Sequence, residues 1–251
     1  MFDLTDRVVL VTGATRGLGR AIATGRARLG AHVVIGGRDA GTAANIAASL
    51  RDSGSKASSI ALDVTAPEAR ITAAIDDLVA AHGVPHGLVN SAGIISRAPA
   101  TEVPVERFEA ALATNLTGIF AVTRAVGGHM LAAGRGSVVN LSSVLQQSGG
   151  RHVVAYAASK GGVAQLTRAL AVEWSSAGVR VNAITAGYFA TDLTGALRAD
   201  PDRSAALLAR IPPGRWGRPE ELVGVSAFLL SDVAGYVTGA TVEVDGGWTA
   251  A

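Results

Sequence analysis

Two side chains suited to proton transfer stand four residues apart, Tyr156 and Lys160 in Tyr156-Ala157-Ala158-Ser159-Lys160. On a helix that spacing puts the phenol and the ammonium on one face. To exchange a proton with an alcohol or carbonyl oxygen near neutral pH, a phenol must come down from its usual pKa of about 10. A nearby cation lowers it. At roughly 1.4 kcal/mol per pKa unit the descent needs ~4 kcal/mol, which the lysine, a cofactor charge and a hydrogen-bond donor can share. Ser143, thirteen positions before the tyrosine at the end of a strand-like run, is placed to donate to a substrate carbonyl oxygen. Asn115, in Asn115-Leu116-Thr117-Gly118, is a polar group inside an otherwise apolar helical stretch. It either bridges through water to the lysine or caps a kink. The chain has no cysteine, which excludes thiolate nucleophiles, disulfide scaffolds and Cys-ligated metal sites.

The elements that must position these groups follow from the hydrophobic pattern. The chain has 251 residues, 49% of them hydrophobic and 17% charged, enough for a large core and too apolar for disorder. Short β-branched runs fall at Val8–Thr12, 32–36, 59–62, Gly87–Asn90, 137–141, 180–184 and Thr241–Val244. Most are continuously apolar, as expected of strands covered on both faces. Between them, residues 20–29, Glu68–His82, 105–133 and 157–177 carry apolar positions at helical spacing. The alternation predicts an α/β fold, doubly wound, with a seven-stranded parallel sheet flanked by helices. No linker or repeat divides the chain, so residues 1–251 are expected to form a single domain.

After the first strand comes Thr12-Gly13-Ala14-Thr15-Arg16-Gly17-Leu18-Gly19, opening a helix. Glycines at Gly13, Gly17 and Gly19 let the backbone turn and approach a pyrophosphate at a helix N-terminus. A ribose-binding acid is expected about 20 residues on, but Gly37 stands there and Arg38 follows. Arg38 and Arg16 together favour a 2′-phosphate, hence NADP(H) over NAD(H); otherwise both are solvated surface charges. Asp63, followed by Val64, suits an adenine amine, and Asn90-Ser91-Ala92-Gly93 borders the cofactor with backbone and small side chains. Each is also an ordinary cap or turn residue.

With 22 Lys+Arg against 20 Asp+Glu and no basic cluster, no nucleic-acid or membrane-surface partner is expected. No apolar run reaches about 18 residues. Residues 1–7, with Asp3 and Asp6, do not resemble a signal peptide, so a cytoplasmic protein is expected. His32, His82, His86 and His129 lack metal-like spacing, and no metal is expected.

The set TGATRGLG, NSAG, NLTG, Ser143 and YAASK, continued through Val181-Asn182-Ala183 to Val244-Asp245-Gly246-Gly247, resembles the short-chain dehydrogenase/reductase family over essentially the whole chain. The resemblance implies an NAD(P)-binding Rossmann fold and hydride transfer between nicotinamide and a carbonyl carbon without a metal. It implies Tyr156 as proton donor and acceptor, and Ser143 orienting the substrate oxygen. Lys160 would bind the nicotinamide ribose and lower the tyrosine pKa, and Asn115 would complete a proton relay. The cofactor would also meet Gly13, Thr15, Leu18, Ala92, Gly93, Gly187, Phe189 and Thr191. Three departures stand out: Ser91 for a second asparagine, Ala186 for a proline before Gly187, and His86 for an aspartate. Loss of the proline is expected to loosen 187–191.

A substrate lid is expected at about 188–216, helical over 192–210. Its residues and Gly149-Gly150-Arg151-His152 resemble the gluconate 5-dehydrogenase and 2-dehydro-3-deoxy-D-gluconate 5-dehydrogenase branch. The substrate is then a small alcohol or ketone, plausibly a sugar acid, with Arg151, His152 or Arg198 anchoring its carboxylate beside Ser143 and Tyr188; the alternative is a solvated lid. A 3-oxoacyl-carrier-protein or broad carbonyl reductase, and a non-catalytic NADP sensor or scaffold, are the rival functions. Trp174 is expected to pack, whereas Trp216 and Trp248 are assigned to a subunit contact ahead of a pocket. Small residues on the long helices, by the resemblance, imply a homotetramer or homodimer.

Overall fold

A computed structural model describes residues 4–251, so the first three residues of the N-terminal stretch read above lie outside it. The chain runs β1 (Val8–Thr12), α1 (Gly17–Arg28), β2 (His32–Gly37), α2 (Ala40–Asp52), β3 (Ala57–Ala61), α3 (Glu68–His82), β4 (Gly87–Asn90), α4 (Val105–Leu112), α5 (Gly118–Ala132), β5 (Gly136–Ser143), α6 (Val154–Trp174), β6 (Val179–Ala186), α7 (Gly195–Arg198), α8 (Pro201–Leu208), α9 (Leu222–Leu230) and β7 (Thr241–Val244). All seven strands are parallel, in the order β3-β2-β1-β4-β5-β6-β7.

Alternate strand residues serve opposite faces, which is why the strands read as continuous apolar runs. Val9, Val11, Val33 and Ile35 pack under Ile22, Ala43, Ile46 and Leu222 of α1, α2 and α9. Val8, Leu10, Val34 and Leu88 face Ile71, Ile75, Val122, Val126 and Trp174 of α3, α5 and α6. β3 begins two residues earlier and ends one earlier than expected, because it is an edge strand whose alternate residues leave the core. The α2 helix was not read from the sequence. Its buried face, Ala43, Ile46, Ala47 and Leu50, keeps helical spacing, and it starts on Asp39, whose carboxylate accepts the Thr42 N–H at 2.8 Å.

The stretch 105–133 is not one regular helix. Residues Ala113–Thr117 form a π turn between α4 and α5, and Asn115 lies within it, fully buried. At the base of the sheet, the His86 ring accepts the Val8 N–H through Nδ1 at 3.3 Å, and burial pulls its pKa down, keeping the ring a neutral acceptor. Among the described residues no helix is long and apolar enough to cross a membrane.

Candidate active site

Thr12, Gly37, Asn90, Ser143 and Ala186 end β1, β2, β4, β5 and β6, so the candidates on and just after them gather at one edge of the sheet. At β1 the Thr12 hydroxyl accepts the N–H groups of Ser91 and Ala92 at 3.2 and 3.4 Å, joining the glycine turn to the segment after β4. Gly13, at φ +62°, lies so close to that segment that a Cβ would stand 2.7 Å from the Ala92 Cα and amide nitrogen. Past Thr15 and exposed Arg16, α1 begins with no side chain capping it. The first N–H groups, from Gly17, Leu18 and Gly19, therefore lack intrahelical partners. A Cβ on Gly17 would project into a gap and meet only Thr191, at 3.8 Å. A bare helix N-terminus facing a gap that glycine leaves open fits a dinucleotide pyrophosphate.

A Cβ at Gly37 would stand 2.6 Å from Thr15 Cγ2, so the place of a ribose-binding acid is taken by a methyl group. Exposed Arg38 follows, and its charge, after the hydrogen bonds from Thr65, helps hold Asp63 below the usual carboxylate range. Asp63 Oδ1 accepts the Thr65 N–H and O–H at 2.9 and 2.7 Å, and Val64 is buried beside it. The Asn90 amide turns inward, donating to Thr123 Oγ1 and Asn140 Oδ1 at 2.8 and 2.9 Å, which leaves its backbone and Gly93 at the cleft.

On α6, Tyr156 and Lys160 share a face as their spacing predicts. Lys160 Nζ lies 5.6 Å from the Tyr156 ring centroid and donates to Leu141 O at 2.6 Å. Burial pulls its pKa down to about 8. Burial also pushes Tyr156 up to about 12, opposed by the hydrogen bond from Ser143 and by the charge of Arg97. Arg97 thus adds its charge to the side of the phenolate, while the Lys160 ammonium lies by the ring. Asn115 clamps the π turn to the chain after Gly93: its Oδ1 accepts the Ile94 N–H at 2.8 Å, and its Nδ2 donates to Ile94 O at 2.9 Å and Ser159 Oγ at 3.2 Å. That two-way clamp holds the kinked segment and ties it to Ser159 of α6.

Residues 187–191 are pinned and not loosened. Ala186 keeps its place in the β6 ladder, and the Gly187 N–H donates to Val244 O at 3.1 Å. Thr191 N–H donates to Thr194 Oγ1 at 3.1 Å, while the Phe189 ring is buried in the core under Gly217, leaving its backbone to the cleft. The lid consists of α7, α8 and the loops around them. Its ends meet in a parallel bridge, Ala190 N–H to Gly217 O at 2.8 Å and Gly217 N–H to Tyr188 O at 2.9 Å. Tyr188 packs on Trp248 at 4.7 Å and on Trp216 at 6.0 Å, between ring centroids. Both tryptophans thus find an aromatic partner within the chain, in Tyr188, far away in sequence.

The three expected carboxylate anchors are exposed in this structure. Arg151 and Arg198 are exposed, and His152, at φ +62°, uses its carbonyl to accept the Ala98 N–H at 3.1 Å. Arg97 is the residue sequence reasoning missed. It is half-buried, and the hydroxyls of Tyr156 and Tyr188 both act on its charge. The one available signal was its place four residues beyond Gly93, in the segment that borders the cofactor.

A family profile described as enoyl-(acyl carrier protein) reductase matches residues 13–249. Gluconate 5-dehydrogenase of Gluconobacter oxydans (strain 621H) is 39% identical over 251 residues, covering 99% of this chain and 97% of that enzyme. Cis-4-hydroxycyclohexanecarboxylate dehydrogenase of Sinomonas cyclohexanicum is 43% identical over 246 residues, 98% of this chain and 97% of that one. A crystal structure of a gluconate 5-dehydrogenase from Burkholderia cenocepacia J2315, in complex with NADP and tartrate, matches with a TM-score of 0.97 and 40% identity, covering 100% of this chain and 98% of the other.

Proposed function

The chain belongs to the short-chain dehydrogenase/reductase family, and from that premise we propose that it transfers a hydride between NADP(H) and the secondary alcohol or ketone of a sugar acid, of the gluconate or ketodeoxygluconate type. The observation that carries the substrate class is Arg97, a half-buried guanidinium beside the Tyr156 hydroxyl with no carboxylate partner among the described residues. A cation held there without a counterion suits a substrate that brings one. The two relatives above are named for acids that also carry a secondary hydroxyl, which supports the same class.

In this reading residues 1–251 act as one domain with the lid at 188–216. When bound, the nicotinamide supplies or accepts the hydride. Ser143 holds the substrate oxygen, and Tyr156 gives that oxygen a proton in reduction and takes one in oxidation. Lys160 keeps positive charge beneath the phenol, and Asn115 fixes the π turn against α6. Gly13, Thr15, Gly17, Leu18, Gly19 and Thr191 surround the pyrophosphate, Asp63 reads the adenine, and Arg16 and Arg38 take the 2′-phosphate. Exposed Val105, Phe120 and Val172, on α4, α5 and α6, support self-association as a homotetramer or homodimer.

The test is an activity matrix of NAD(H) and NADP(H) against aldonates, ketodeoxyaldonates, acyl thioesters and simple ketones. The highest kcat/KM is expected for NADP(H) with an aldonate or ketodeoxyaldonate, and Arg97→Gln should raise KM for those acids about tenfold or more. Turnover confined to acyl thioesters would identify an acyl-carrier reductase instead. Turnover of nothing would leave a coenzyme-binding sensor or scaffold.

A further inference from the structure

Helix α8 lies in the lid with Ser204, Leu207 and Leu208 half-buried and Arg203 exposed. It starts on Asp200, which caps the Arg203 N–H at 3.1 Å, and on Pro201 in the first turn. Arg203 and Leu207 are one turn apart and share a face. Leu207 packs against the cluster of Val144, Ile211 and Trp248, and Val144 directly follows Ser143. Ser204, next to Arg203, accepts from Trp216 Nε1 at 3.3 Å, and Trp216 stands edge-on to Tyr188. Arg203 therefore stands exposed on a helix whose Leu207 and Ser204 reach the residues around Ser143 and Tyr188. The Arg203 charge acts unfavourably on Arg97, and neither guanidinium has a carboxylate partner among the described residues.

We propose that Arg203 is the mobile half of a two-arginine clamp, in which one substrate carboxylate bridges Arg203 on the lid to Arg97 on the body and so draws α8 over the site. This rests on the sugar-acid reading and extends it, because the acid then becomes the signal for closure as well as a handle. Without an anion the two like charges oppose approach of the helix. A carboxylate accepts from both forks and turns the repulsion into a link. A neutral polyol of the same length gives no such link and leaves the lid open. The bridge between 188–190 and 217 fixes the lid's ends, so α8 moves as a unit between anchored termini.

The experiment compares kcat/KM for an aldonate and for the neutral alditol of the same carbon chain, in the wild type, Arg203→Gln, Arg203→Lys and Arg97→Gln. Amide hydrogen exchange in 199–210 is followed with and without the aldonate. In Arg203→Gln the acid-over-neutral ratio should fall about tenfold and the aldonate should no longer slow exchange in α8, with Lys restoring part of both. An unchanged ratio and unchanged protection in Arg203→Gln, with the ratio lost in Arg97→Gln, would overturn the clamp and leave the substrate class standing. A wild type that favours no acid over its neutral counterpart would overturn the substrate class and the clamp together.

Discussion

The glycine turn at 13–19 and the lid at 188–216 lie at the same end of the sheet and are held by different means. In the turn, backbone meets backbone: Gly13 has room for no side chain because Ala92 stands behind it. In the lid, side chain meets side chain, with Trp216 on Ser204, Tyr188 on Trp248 and the Arg210 guanidinium 3.8 Å from the Trp248 ring. A backbone contact dictates the residue and admits almost no change. A side-chain contact can be exchanged for another of similar size. In the proposed function the coenzyme is met by the first kind of construction and the substrate by the second.

The comparison can be broken at several points. Tyr156 lies where the two regions meet, and Tyr156→Phe should lower kcat by roughly 10²–10⁴ while NADP(H) still binds in a fluorescence titration. Retained turnover would move the proton to another group. Gly13→Ala should cost about 2–4 kcal/mol in denaturant unfolding and abolish coenzyme binding, since a positive φ and a backbone clash add together. Gly214→Ala, in the lid at φ +65° with nothing within 4 Å, should cost only about 1 kcal/mol. Equal losses would erase the contrast between the regions. Arg38→Asp should shift coenzyme preference toward NAD(H) by about tenfold or more, seen in the ratio of kcat/KM values. An unchanged ratio would make Arg38 a solvated charge.

The smallest effect concerns pH. Lys160 has a folded pKa near 8, below its ordinary 10.5. Between those values the unfolded chain binds the extra proton, so folding stability rises with pH across that window. Below about 8 both states are protonated and the burial penalty is felt in full. The coenzyme-free protein should therefore gain Tm from pH 8 toward 10, before Tyr156 opposes the trend, because its folded pKa of about 12 lies above its ordinary 10. Lys160→Met should flatten the rise; the same slope in that variant would place the titration elsewhere.

Most of the sheet was legible because parallel strands buried on both faces need unbroken apolar runs. The grouping of Tyr156, Lys160 and Ser143 was legible because they lie on or beside α6 and β5, where spacing converts directly into geometry. The π turn at 113–117 was not, since no residue type marks an extra residue in a helix. Arg97 was missed for a different reason. Its partners come from α6 and from the segment after β6, and a contact between three distant stretches leaves no local pattern. The contacts of Trp216 and Trp248 with Tyr188 left as little trace, because an aromatic residue in a loop reads alike whether it covers a partner or its own lid.

The bridge between Phe189 and Gly217 has a bearing on how such an enzyme can be altered. The two ends of the lid are already joined, so the segment between them is a closed cassette whose length and sequence can be exchanged without moving β6 or β7. Doubling a loop's length costs only about 0.6 kcal/mol in closure entropy. New specificities can thus be spliced in at 190 and 217 while the seven strands, the coenzyme and the tyrosine stay where they are.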